Sequence, residues 1–130
     1  MLDVTPLQTA VDALADRLRA LPQSALRRGA AAEGLALARD LAARAQLIER
    51  PGERPRELPD AGMFAAGDQL AVAGHDLVEA LRTVAALAAT DGRIGPEADA
   101  KSALAEQLAQ AVQRVRDAAQ SEAMTRSARM

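Results

Sequence analysis

The sequence predicts an all-α protein, and three observations favour that class. Ala and Leu, two strong helix formers, supply 33 and 17 of the 130 residues. Apolar residues recur at alternating spacings of four and three, the period of a helix face that packs on other helices. Proline and glycine interrupt this pattern at three places and leave four helical segments. We therefore expect an antiparallel up-down four-helix bundle, with a shorter first helix and one Pro-rich loop between helices 2 and 3.

The first helix is expected over residues 5–20. Thr5 is a suitable N-cap, and Pro6 suits the first helical position because an N–H would have no partner there. Pro22 ends the helix, since proline cannot continue its hydrogen bonding. The residues expected to face the other helices are Leu7, Val11, Leu14, Leu18 and Leu21.

The second helix is expected over residues 24–49, with Ser24 as its cap and bends at Gly29 and Gly34. Residues 50–60 cannot continue it, because they hold several prolines and a glycine. This segment is the one long connection in the chain. Its prolines are Pro51, Pro55 and Pro59.

The third and fourth helices are expected over residues 64–90 and 96–123. Gly74 falls on the apolar stripe of the third helix, where a missing side chain lets a neighbouring backbone approach closely. A compact turn at residues 91–95 separates the two helices, because its glycines and the following proline stop one helix and start the next. The last residues, about 124–130, are expected to fray.

Within that turn, the stretch Asp91-Gly92-Arg93-Ile94 resembles the second half of an EF-hand loop. It is also similar to helix-turn segments of tellurite-resistance-type helical proteins. In the EF-hand register, three ligand positions would be occupied by Leu87, Ala89 and Ala98, which supply no carboxylate. We therefore expect a turn without calcium, and we assign no family.

Composition excludes several classes of chemistry. The chain has no Cys, one His and one Lys, which rules out disulfides, thiolate catalysis and Cys-ligated metal centres. It also lacks a Gly-rich phosphate loop and a nucleophile elbow. We expect one domain over residues 1–130, no enzymatic activity and no cofactor. The start of the chain does not follow a secretory pattern, and no apolar run reaches the ~20 residues of a membrane span, so the expected location is the cytoplasm.

Asp68, His75 and Glu79 lie on one stripe of the third helix, together with Val72. A His and a Glu four residues apart can point at the same ion, so one hypothesis is a small-ligand or metal site. At ~100° per residue, however, this stripe lies nearly opposite the leucine stripe. We therefore expect a solvent-facing His75 that binds no metal.

Charge is distributed unevenly along the chain. Residues 27–56 hold seven Arg against four acids, a net charge of +3, whereas the whole chain has a net charge of −2. An alternative function is therefore a regulator that binds nucleic acid or a transcription component through the arginines of helix 2. Only one aromatic residue is available to stack on bases, so we do not expect nucleic acid as the partner. The arginines concerned are Arg27, Arg28, Arg39, Arg44 and Arg50.

The shorter first helix would leave part of the bundle uncovered. We expect this opening at the end opposite the Pro22 turn, where the 50–60 loop and the C-terminal segment meet. Methionine, arginine and the only aromatic side chain converge there, and this mixture is enriched at protein interfaces. A second copy of the chain is expected to cover the opening, whereas a monomer could fold the loop over it. The predicted contact residues are Met63, Phe64, Met124, Arg50, Arg54 and Arg126.

These observations favour a non-catalytic helical module for protein–protein interaction or self-assembly. Hydrophobic residues make up 49% of the chain, but 33 of them are alanines. Few large apolar side chains remain, so the core of a monomer would be thin. We expect a homodimer, with a different protein partner as the other possibility and with no membrane association. Neither the pathway nor the identity of a partner follows from the sequence.

Overall fold

A computed structural model describes residues 2–90 and 96–128, and within them the side chains of residues 2–89 and 101–125. This part of the chain contains no strand, which confirms the predicted all-α class. Four long helices pack together, and the shorter α6 follows the last of them. The helices are α1 (Thr5–Ala20), α2 (Gln23–Ala25), α3 (Ala31–Glu49), α4 (Ala66–Thr90), α5 (Pro96–Ala119) and α6 (Glu122–Ala128).

Helix α1 has the predicted bounds, but a different residue caps it. Thr5 already belongs to the helix, and its backbone N–H donates a 3.0 Å hydrogen bond to Oδ1 of Asp3. The carboxylate satisfies one of the N–H groups that a helix start leaves without a partner. Val4 occupies the N-cap position, and the side chain that caps the helix is that of Asp3 rather than Thr5.

The second predicted helix is interrupted. After α2 the backbone makes a wide turn over Leu26–Ala30, in which Gly29 adopts φ +140°, a conformation that L side chains rarely adopt. Helix α3 starts after that turn, so Gly29 bends the chain as predicted. Gly34 does not bend it: a Cβ at this position would lie 2.9 Å from Cδ1 of Leu18, so the glycine makes room for α1.

The last predicted helix, 96–123, is divided in two. Helix α5 ends at Ala119, and after Gln120 and Ser121 the chain enters α6. The residues from 124 onward that were expected to fray are helical as far as Ala128, and Met124 is buried in the core. The predicted turn at Asp91–Gly95 lies outside the described residues.

Helices α3 and α4 run parallel, which contradicts the predicted up-down order. Near the start of each helix, a Cβ built on Gly34 would lie 3.4 Å from the Cβ of Ala66. About two turns farther along both helices, Ala42 and Val72 line the same groove. Residue numbers therefore increase in the same direction along the two helices.

The Pro-rich loop makes this parallel arrangement possible. After α3 ends, the chain returns along that helix: Gln46 forms two hydrogen bonds with the backbone of Arg56, and Arg39 donates one to the carbonyl oxygen of Leu58. Gln69 of α4 then donates to the carbonyl oxygen of Pro59. Residues 50–62 can span roughly 40 Å at ~3.3 Å per residue, enough to return over the ~22 Å rise of α3 beyond Gly34.

Helix α1 is antiparallel to α4, and α3 is antiparallel to α5. In α1 and α4, Val11 faces Gly74 and Ala15 faces Gly67, so their numbers run in opposite directions. The same holds for α3 and α5, where Arg44 and Asp40 contact Gln110 and Arg114, respectively. Helices α1 and α5 therefore run one way, while α3 and α4 run the other. Helix α4 is central, because its contacts with α3 and α1 are the most extensive between helices in the described part of the chain.

Candidate functional site

The six residues predicted to form one interface lie at two ends of the molecule. The turn Met63–Ala65 contacts the Leu26–Ala30 turn, which in turn contacts α6. Met63, Phe64 and Met124 therefore belong to one end. Arg50 follows the last residue of α3, ~24 Å along that helix from the Gly34–Ala66 contact, and so lies at the other end.

Of the three apolar residues at the first end, only Phe64 is fully presented to solvent. Its relative exposure is 70%, whereas Met63 is half-buried and Met124 is 1% exposed. Met124 therefore belongs to the core and offers no docking surface. The sequence pattern did not reveal this, because Met124 follows the break at Gln120 and lies outside the apolar stripe of α5.

The predicted arginine rim is not assembled around Phe64. Arg50 forms a 3.8 Å ion pair with Glu53, and both side chains are largely exposed. Arg54 is exposed in the loop, and the side chain of Arg126 lies outside the described part. The parallel path of α3 and α4 separates Arg50 from Phe64, since the loop carries the chain from one end to the other.

A second exposed apolar residue lies on α4, the helix that follows the turn carrying Phe64. Val72 is 61% exposed and lies about two turns beyond Phe64. It borders a groove of about 230 Å³ whose wall includes Ala42 of α3 and Leu58 of the loop. We name this surface, Phe64 together with Val72 and the groove beside it, the α4 outer face. The sequence placed Val72 on the solvent stripe but gave no signal that it marks a contact surface.

Several charged groups along α4 are paired within the chain. Arg19 donates from Nε to Oδ1 of Asp68 at 2.8 Å, and this bond raises the pKa of the guanidinium. His75 Nε2 lies 2.9 Å from Oδ1 of Asp12, and Arg82 lies 2.9 Å from Glu79. The α4 outer face therefore combines two apolar side chains with the Asp68–Arg19 pair and the carboxylate of Asp76, which lines the groove.

The same contacts show where the residues of the predicted metal site lie. His75 is about half exposed, as predicted, and its imidazole contacts Asp12 of α1. Asp68 and Glu79 contact arginines instead of converging with it. Among the residues that the structure describes, no group of three His, Asp or Glu could hold a metal ion. That the native protein binds no metal stays a prediction.

Several arginines of the proposed nucleic-acid surface make internal contacts. Arg39 donates to the carbonyl oxygen of Leu58 at 2.8 Å and lies 3.5 Å from Glu57. Arg44 forms a 2.6 Å ion pair with Asp40, which also accepts a hydrogen bond from Arg114 of α5. These contacts reduce the positive charge available to phosphates. That the protein does not bind nucleic acid stays a prediction.

The opening left by the short first helix lies at the start of α1. Val11 faces Gly74, so α1 begins roughly 9 Å before this contact while α4 continues for roughly 24 Å beyond it. A cavity of about 660 Å³ lies beside this overhang, between the ends of α4 and α5 and the first residues of the chain. The bundle therefore has an opening, as predicted, but Phe64 does not lie at the end that carries it. Its lining residues are Leu2, Arg82, Ala85, Ala86, Ala89, Lys101, Leu104 and Ala105.

Two further observations concern the class of protein. No helix in the part of the chain described above combines the length and the apolar character that crossing a membrane requires. The fold defines an all-α protein of four main packed helices with a parallel central pair. No protein-family model, curated protein or solved structure matches the chain.

Proposed function

We propose that this protein is a non-catalytic interaction module that self-associates through the α4 outer face. The observation that carries the proposal is the exposure of Phe64, the only aromatic residue of the chain, at 70%. A second apolar residue, Val72 of α4, follows Phe64 by about two turns and is 61% exposed. Full burial of such a side chain contributes roughly 1.5–3 kcal/mol, and aromatic residues are frequent interface hot spots.

A second copy of the chain suits this face because of the spacing of its two apolar residues. If two α4 helices cross antiparallel with their two-fold axis near Asp68, Phe64 of each copy faces Val72 of the other. The same patch then forms the contact on both subunits, as in a two-fold symmetric dimer. Asp68 would lie near the axis, where its charge is compensated by Arg19 of the same chain at 2.8 Å.

The ion pairs beside the face also favour association. An unpaired charge carried into an interface costs several kcal/mol in desolvation, whereas a paired one costs less. Arg19 and Asp68 form such a pair, and Asp68 lies midway in sequence between Phe64 and Val72. In this arrangement the apolar contacts supply affinity, and the rim charges set orientation.

Sedimentation equilibrium of the wild type and two variants tests the proposal. We expect a dimer for the wild type and folded monomers for Phe64→Asp and Val72→Asp, because each substitution buries an unpaired carboxylate. Leu47→Asp is the matched control: Leu47 is 48% exposed but lies on α3, so this variant should remain dimeric. Circular dichroism verifies that each variant is folded.

Two outcomes would contradict the proposed function. The first is a wild type that remains monomeric at high micromolar concentration. The second is a dimer that Leu47→Asp dissociates as readily as Phe64→Asp, because the contact would then not be centred on α4.

A further inference from the structure

The cavity at the overhanging ends of α4 and α5 has the dimensions of a ligand site. Its volume of about 660 Å³ falls within the range of roughly 300–1,000 Å³ typical of small-molecule pockets. Six of the residues that line it are apolar: Leu2, Ala85, Ala86, Ala89, Leu104 and Ala105. The described wall therefore offers a mainly hydrocarbon surface.

The cavity is open because its walls carry alanines where a core would carry larger residues. An alanine methyl cannot bridge the space between α4 and α5 beyond the start of α1. Leu2 reaches back over this region and packs against the core from one side, and Leu104 is buried below it. Neither side chain fills the space, so an apolar guest would remove the exposed methyl groups from water.

The charged residues among those that line the cavity are both cations. Arg82 lies on α4, and Lys101, the only lysine of the chain, lies on α5. Arg82 contacts Glu79 through Nη1, which leaves the other N–H groups of its five-donor guanidinium for a second acceptor. Among the described lining residues, Arg82 and Lys101 are therefore the groups that would pair with a bound anion.

We propose that this cavity binds a small amphipathic anion, specifically a free alkyl carboxylate. The hydrocarbon chain would occupy the alanine-lined space, and the carboxylate would pair with Lys101 and Arg82. This site is separate from the α4 outer face and does not depend on self-association.

Isothermal titration with decanoate and with decanol as the uncharged analogue tests the site on the full chain. We expect one saturable decanoate site per chain at concentrations below micelle formation. Lys101→Gln should weaken decanoate binding by about fivefold, the effect of one partly exposed ion pair, and leave decanol binding unchanged. A substitution that weakens the binding of decanoate but not of decanol indicates that the site recognises the charge. Equal weakening of both probes indicates general apolar adsorption.

A pair of bulky substitutions tests the location. Ala105→Trp places an indole in the cavity and should abolish binding of both probes, whereas Ala36→Trp, on the exposed side of α3, should leave both unchanged. Decanoate binding that survives Ala105→Trp would overturn the proposal, as would the absence of saturable binding. A dimer that Ala105→Trp dissociates while Phe64→Asp does not would show that a second copy occupies the cavity instead. Sedimentation of Phe64→Asp tests self-association separately, so the two proposals can fail independently.

Discussion

Val11 of α1 packs directly on Gly74 of α4, at a distance that leaves no room for a side chain. A Cβ built on Gly74 would overlap both methyl groups of Val11, which is itself fully buried. One turn of α1 farther on, a Cβ on Gly67 would lie 2.9 Å from the carbonyl oxygen of Ala15. These two glycines let the backbones of α1 and α4 approach closely, as the sequence predicted for Gly74.

Gly74→Ala should therefore destabilise the protein by about 1–3 kcal/mol, the usual cost of overpacking a core. The gain in helix propensity of ~1 kcal/mol offsets only part of this cost. Urea denaturation measures the change. In the double variant with Val11→Ala, both overlapping methyl groups are removed and only the Cβ of residue 11 remains, 3.0 Å from the added Cβ, so the Gly74 substitution should cost clearly less there. An equal cost in both backgrounds would show that Val11 is not the obstacle.

Met124→Ala should lower the free energy of unfolding by about 2–5 kcal/mol, because Met124 is buried in the core. Met63→Ala, at a half-buried position of the same end, is the control and should cost less. Thermal and urea denaturation compare the two variants. A change within about 0.5 kcal/mol for Met124→Ala would instead support the frayed tail that the sequence predicted.

Asp40→Ala should destabilise the protein by about 1 kcal/mol, because Asp40 joins Arg44 and Arg114 in an ion-pair cluster between α3 and α5. These three side chains are about 30% exposed, so solvent screens them only partly. The exposed Arg50–Glu53 pair provides the comparison, and Glu53→Ala should leave stability nearly unchanged. A double-mutant cycle of Asp40 with Arg114 measures the coupling; a coupling of zero would contradict this account.

The hydrogen bond from Thr5 to Asp3 predicts that part of the protein's stability depends on pH. The hydrogen bonds from Thr5 hold the pKa of Asp3 below its ordinary value of 3.8. A depressed pKa in the folded state means that the carboxylate stabilises the protein above the unfolded pKa, and that this contribution is lost as pH falls through the folded pKa. Asp3→Ala should therefore be less stable than the wild type at neutral pH, and the difference should disappear in acid. NMR titration of the Asp3 carboxyl provides the direct check, and a pKa at or above 3.8 would contradict the cap.

The sequence predicted helix positions well and helix directions poorly. Residues 5–20 were assigned correctly because Pro6 and Pro22 mark both ends of α1. An apolar stripe identifies the buried face of a helix but carries no information about which way its neighbour runs. The segment from Arg50 to Gly62 is long enough either to form a wide turn or to return along α3, and only its hydrogen bonds to Gln46 and Arg39 distinguish these paths.

The candidate site shows the same limit. Phe64 was identified because it is the only aromatic residue, and the structure places it on the surface. Arg50 was grouped with it because an up-down bundle would bring the two together. Once α3 and α4 run parallel, that grouping fails: the opening lies opposite the Pro22 turn as predicted, where α1 starts, but Phe64 lies at the end that carries the Pro22 turn.

The parallel pair of α3 and α4 has a consequence for the speed of folding. Two antiparallel helices joined by a short turn can form their contacts in order, starting at the turn. Each new contact then closes only a short additional loop. Here Gly34 meets Ala66 only after the intervening loop has closed, and Arg17 meets the carbonyl oxygen of Ala119 across most of the chain. Such distant pairings raise the contact order. Closing their loops lowers the conformational entropy of the chain before any contact stabilises the fold. The protein should fold more slowly than an up-down bundle of equal length and stability, and stopped-flow refolding would measure the difference.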